Sequence, residues 1–172
     1  MSTTDPCTNL ILIGMAGTGK TTLGKMAAGA LSWCHIDTDY LLQSWWGMSL
    51  QALRDRLGLE AFLQAEADML TRLKVCRCVI STGGSVVYRR AGMRRLKELG
   101  PAIELFADLE TISSRLQNPD SRGLAVRPGQ TLEELYHERR PLYAAYADAR
   151  IDTGKSGPET CVKEILAWLK KR

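Results

Sequence analysis

Residues 10–22 read LILIGMAGTGKTT, an apolar run that passes straight into three glycines, a lysine and three threonines. Gly14, Gly19, Lys20 and Thr21 match G-x-x-x-x-G-K-[ST], after a strand and at the opening of a helix, the context a phosphate loop requires. Glycines let the backbone curl so that its N–H groups face phosphate oxygens. The expected phosphate-holding set is Gly14, Gly17, Gly19, Lys20, Thr21 and Thr22. Lys20 supplies a mobile charge for the outer phosphates and Thr21 a hydroxyl for Mg²⁺. A plain strand–turn–helix corner needs none of these residues at these offsets.

Outward from this loop, short β-rich runs alternate with helical patterns. The runs are NLILIG, CHID, CRCVIST, AIELFA and ARIDT, with helices from about Lys20, from Tyr40, near 91–99, over 109–117 and from Pro158. Strict alternation predicts a parallel sheet covered on both faces. Two helical patterns in succession over 49–74 predict a helical insertion. The stretch 118–130, NPDSRGLAVRPGQ, has the composition of a mobile loop and the charges of a lid.

Mg²⁺ also requires a carboxylate. IDTDY brings Asp37 and Asp39 to the carboxyl edge of the sheet, where open α/β folds bind ligands. Strand alternation puts both on one side, one for the metal and the other for an acceptor hydroxyl; an Asx turn capping the next helix is the competing reading for Asp39.

The 172 residues suffice for one domain with its own core, and the net charge of +4 is mild and scattered, which leaves nucleic acid an unforced reading and a small molecule the expected partner. Cys76 and Cys78 flank Arg77 in the third apolar run. They are expected to share a strand face as packing residues rather than zinc ligands, in a reducing compartment. No basic-then-apolar leader and no 18-residue apolar run occurs, so a cytoplasmic chain without a membrane span is expected, as a monomer. Trp45 and Trp46 are expected to pack between insertion and core.

With the phosphate loop, IDTD, STGGS at 81–85, an arginine in the lid and ERRPLY at 138–143, the chain resembles the shikimate kinase family over nearly its whole length. The resemblance implies a P-loop kinase fold: a single domain over 1–172 with a five-stranded parallel sheet in the order 2-3-1-4-5. It further implies ATP and Mg²⁺ as cofactors, an acceptor-binding insertion at about 40–74 and a lid at about 118–130. Carried over by position, Thr21 and Asp37 serve the metal and Asp39 the acceptor hydroxyl. Lys20 and Arg122 serve the transferred phosphate, and Arg115 and Pro158 sandwich adenine. Arg139 grips the acceptor carboxylate, and Gly83 and Gly84 border the acceptor.

Three departures fall in the acceptor pocket. The family's Phe-Arg pair reads Phe62-Leu63, an aromatic position reads Arg54, and the third glycine of the loop is Ser85. Glu66 and Arg139 occupy the i+7 places of apolar stripes, and Arg54 sits within another, so each ion projects from an inward face. Burying an unpaired charge costs several kcal/mol, roughly, so each needs a partner or a ligand. Mutual neutralisation in a buried ion network is one reading. A cavity awaiting a charged acceptor is the other, with Asp39, Arg54, Phe62, Glu66, Gly83, Gly84, Ser85 and Arg139 around it. Leu63 leaves Glu66 free to receive a cation, so a hydroxy amino acid such as homoserine ranks above shikimate, with other hydroxy acids such as gluconate behind. A catalytically inactive ATP-binding regulatory protein is the alternative of another class. A nucleotide-monophosphate kinase would lack an aromatic platform beyond Phe62.

Overall fold

The computed structural model describes residues 8–116 and 124–172. In chain order the elements are β1 (Leu10–Ile13), α1 (Lys20–Leu31), β2 (Cys34–Asp37), α2 (Thr38–Trp46), α3 (Leu50–Leu57) and α4 (Leu59–Thr71). They continue with β3 (Cys78–Ser81), a 3-10 turn (Val86–Tyr88), α5 (Arg90–Leu99), β4 (Ala102–Phe106), α6 (Leu109–Arg115), α7 (Leu132–Tyr146), β5 (Ala149–Asp152) and α8 (Pro158–Lys170).

All five strands are parallel, in the order β2-β3-β1-β4-β5. The central strand β1 is wholly buried, which is why its sequence is continuously apolar rather than alternating. Its side chains still divide by parity. Leu10 and Leu12 join Leu23, Ala27 and Ile165 of α1 and α8 in one core, whereas Ile11 and Ile13 join Leu70, Met93 and Leu135 of α4, α5 and α7 in the other.

The phosphate loop follows from β1 because the chain must turn tightly beneath β4. Gly14 takes φ +141°, and a Cβ there would lie 2.3 Å from the Leu105 carbonyl oxygen, so only glycine fits. The doubled helical signal of 49–74 is α3 and α4, stopped from merging by Gly58 at φ +75°.

Three expectations fail. Trp45 and Trp46 are exposed, because they fall on the outer side of α2. Cys76 and Cys78 do not share a strand face: Arg77 turns at φ +54° and β3 begins only at Cys78. Cys76 is moreover disulfide-bonded, which removes the cysteine count as an argument for a reducing compartment. Among the described residues, no helix is long and apolar enough to cross a membrane.

Candidate active site

The carboxyl ends of β1, β2 and β3 open into a cavity of about 380 Å³. Gly17, Gly19, Lys20, Thr21 and Thr22 line one end, with Arg115 beside them. Asp39, Phe62, Gly84, Ser85 and Arg139 line the other, closed over by Leu50, Leu124 and Ala125. Gly14, Asp37, Glu66 and Gly83 are not among the lining residues.

On the loop side, Lys20 Nζ donates to the carbonyls of Gly14 and Met15, each at 2.8 Å. Burial lowers its pKa from 10.5 to about 8, against the charges of Asp39 and Asp37 that raise it. Thr21 Oγ1 donates to Asp37 Oδ2 at 2.6 Å, and Asp37 Oδ1 accepts the amide of Asp39 at 3.0 Å. Thus Asp37, not Asp39, caps the following helix, and the competing Asx reading falls on the other aspartate. Strand alternation does not relate the two, since β2 ends at Asp37 and Asp39 lies in the first turn of α2. Burial, then the charge of Asp37, raises the Asp39 pKa from 3.8 to about 6, with Lys20 opposing.

On the opposite side, Gly83 and Gly84 are glycines for want of room rather than for φ. A Cβ on Gly83 would lie 2.5 Å from Glu66 Oε1 and 2.6 Å from Asp39 Oδ1; on Gly84 it would lie 3.1 Å from Arg139 Nη1. Arg139 is 1% exposed. Its Nε donates to the Tyr88 hydroxyl at 3.1 Å and its Nη2 to the Ala125 carbonyl, with the Tyr88 ring 5.0 Å from the guanidinium carbon. Tyr143 donates its hydroxyl to the Gly84 carbonyl at 2.6 Å, fixing that wall. The two tyrosines escape a reading of sequence alone, because aromatic residues on an apolar stripe look like plain core.

Glu66 is 3% exposed and accepts the Ser85 hydroxyl at 2.8 Å. Burial and the charge of Asp39 raise its pKa from 4.5 to about 7, against the Ser85 hydrogen bond and Arg139. Arg54 donates to the Leu124 carbonyl and lines a neighbouring cavity, not the main one, because α3 turns its fifth position past the rim. Among the described residues no ion pair joins any two of Arg54, Glu66 and Arg139. Neither the closed ion network nor a set of bare charges is found; each ion has its own polar partner.

Arg115 donates to the carbonyls of Gly17 at 3.2 Å and Thr153 at 2.8 Å, which pins it beside the loop. Pro158 opens α8 at its first position, on the surface and outside the cavity lining, since Gly157 and Pro158 serve the helix start. Arg122 and residues 118–123 of the expected lid lie outside the described residues.

A sequence model of the family described as shikimate kinase matches residues 16–170. The shikimate kinase of Thermodesulfovibrio yellowstonii is 35% identical over 161 residues, 92% of this chain and 92% of that protein. That of Pelotomaculum thermopropionicum is 36% identical, covering 95% and 96%. Among solved structures, shikimate kinase from Acinetobacter baumannii in complex with shikimate superposes with a TM-score of 0.85 at 26% identity, over 96% of this chain and 94% of that one. Shikimate kinase from Aquifex aeolicus gives 0.79 at 28% identity, over 94% and 96%.

Proposed function

Because the chain belongs to the shikimate kinase family, we propose that it transfers the γ-phosphoryl group of ATP to a hydroxyl of shikimate, forming shikimate 3-phosphate. The observation that carries this is one continuous cavity lined by Lys20 and Thr21 of the phosphate loop together with Asp39 and Arg139.

ATP and Mg²⁺ are the cofactors, and the residues present fit them. The loop glycines curl the backbone, Lys20 folds back onto the Gly14 and Met15 carbonyls, and the Thr21 hydroxyl with the Asp37 carboxylate offers two hard oxygens 2.6 Å apart. Such donors suit Mg²⁺, which keeps most of its shell for water and phosphate. Bound MgATP supplies the phosphoryl group and the metal charge.

The protein's own part is positioning and charge neutralisation. Asp39, ionised above about pH 6, orients the acceptor hydroxyl and takes its proton as the new P–O bond forms and the bond to ADP breaks. Lys20 exchanges two loop carbonyls for phosphate oxygens. Arg139, with Nη1 beside Gly84, holds the acceptor carboxylate. Arg115 braces the nucleotide end, and Arg122 completes the phosphate grip. The helical insertion α2–α4 carries the acceptor wall through Asp39 and Phe62, and Leu124 and Ala125 roof it.

Homoserine, ranked first from the sequence, gives way. Its case required Glu66 to present a bare carboxylate to an ammonium, whereas Glu66 stands outside the cavity lining with Ser85 on its oxygen. The inactive reading is disfavoured by the assembly of Lys20, Thr21, Asp37 and Asp39 at one sheet edge. The test is ADP release with ATP, Mg²⁺ and, in parallel, shikimate, homoserine and gluconate. Shikimate turnover is expected, reduced about 100-fold or more in kcat by Asp39→Asn with little change in the KM for ATP. Turnover of homoserine alone would reverse the assignment.

A further inference from the structure

Ser85 stands where the family carries a glycine, yet its backbone needs none: φ is −86° and ψ −12°, an ordinary helical conformation. The side chain is therefore admitted without strain, unlike one at Gly83 or Gly84. It is 5% exposed and lines the acceptor end of the cavity.

Its hydroxyl has one proton and two lone pairs. The proton goes to Glu66 Oε2, 2.8 Å away. Glu66 has no cation one turn earlier on α4, where Leu63 is buried in the core, so Ser85 supplies its hydrogen bond. With that proton committed, the hydroxyl of this cavity-lining residue has only its lone pairs left to offer a ligand. The acceptor end then offers two hydrogen-bond acceptors, Asp39 and Ser85, and one cationic donor, Arg139. Such a wall fits an acid with two hydroxyls close together better than an acid with one.

We propose that Ser85 is a specificity-determining contact, its oxygen accepting a hydrogen bond from a second hydroxyl of the acceptor beside the one phosphorylated. Glu66 is its positioning residue. The inference rests on the acceptor reading above and deepens it.

The experiment is steady-state kinetics of the wild type, Ser85→Ala, Ser85→Gly and Ser85→Thr, with shikimate and with an analogue lacking one hydroxyl beside the reactive one. Ser85→Ala and Ser85→Gly are expected to raise the KM for shikimate about tenfold, the worth of one hydrogen bond. Their kcat should stay within about threefold and the KM for ATP should be unchanged. Ser85→Thr, which keeps the hydroxyl, restores shikimate KM to within about threefold. On the deoxy analogue, Ser85→Ala changes kcat/KM less than about twofold, because the bond it removes was never made. Equal losses on both substrates, or no loss on shikimate, would overturn the inference. A wild type silent toward shikimate refutes the proposed function instead. The same variants are then measured on whichever member of a hydroxy-acid panel is turned over. Selectivity for neighbouring hydroxyls, weakened by Ser85→Ala, sustains the inference; preference for single-hydroxyl acids, or no turnover at all, overturns it.

Discussion

Glu66→Gln should make the protein's stability less sensitive to alkali. The glutamate is 3% exposed, and burial followed by the charge of Asp39 raises its pKa from 4.5 to about 7. Its carboxyl thus holds its proton more tightly in the folded chain than in the unfolded one. Stability it contributes is complete below the unfolded value and is lost as pH rises through the folded value. The gap from 4.5 to about 7 corresponds to roughly 3 kcal/mol in full. Most of that develops between pH 5 and pH 8. Glutamine keeps the shape and the hydrogen bond with Ser85 but does not titrate. The unfolding free energy of Glu66→Gln relative to wild type should therefore climb by roughly 2 to 3 kcal/mol across this interval. Urea unfolding of both proteins in matched buffers, with equal m-values as the check on comparable unfolded states, measures it. A difference that stays flat with pH, or that moves the other way, would refute the assignment of Glu66 as a buried, reluctantly ionised acid.

The free-enzyme pH profile of kcat/KM should be a bell, rising through about pH 6 as Asp39 ionises and falling through about pH 8 as Lys20 loses its charge; a profile flat from pH 5 to 9 would separate both from catalysis. Gly83→Ala should raise the KM for the acceptor at least about tenfold and lower kcat, because its Cβ would meet Glu66 Oε1 and Asp39 Oδ1 at 2.5 and 2.6 Å. Arg115→Ala releases the Gly17 and Thr153 carbonyls and should raise the KM for ATP about tenfold with the acceptor KM unmoved; equal effects on both substrates would place Arg115 in the scaffold alone.

The nucleotide end was legible in the sequence because its demands are local. A backbone that must curl beneath β4 admits glycine alone at position 14, and the lysine and threonine that follow have fixed offsets from it. The alternating elements gave the parallel sheet, but the strand order came only with the family resemblance, since alternation does not state on which side of β1 each crossover lands. The acceptor end was read less well because its contacts are distant along the chain. Helical spacing showed that Arg54, Glu66 and Arg139 face inward but not toward what. Arg54 finds a carbonyl 70 residues away and Glu66 a hydroxyl 19 residues away, and no stripe encodes either. The Asp37–Asp39 reading fails by two residues of strand length, which moves the second aspartate from a pleat to a helical turn.

Asp37 straddles the two halves of the site. One of its oxygens takes the Thr21 hydroxyl and the other the Asp39 amide, so a single planar group links the first turn of α1 to the first turn of α2. A tug on one oxygen tilts the other, and the lever arm is two residues long. On the roles proposed above, a ligand that draws on the Thr21 side of Asp37 also shifts its hold on the Asp39 amide, so the affinity for one substrate should change when the other is bound, without any long-range rearrangement of the fold.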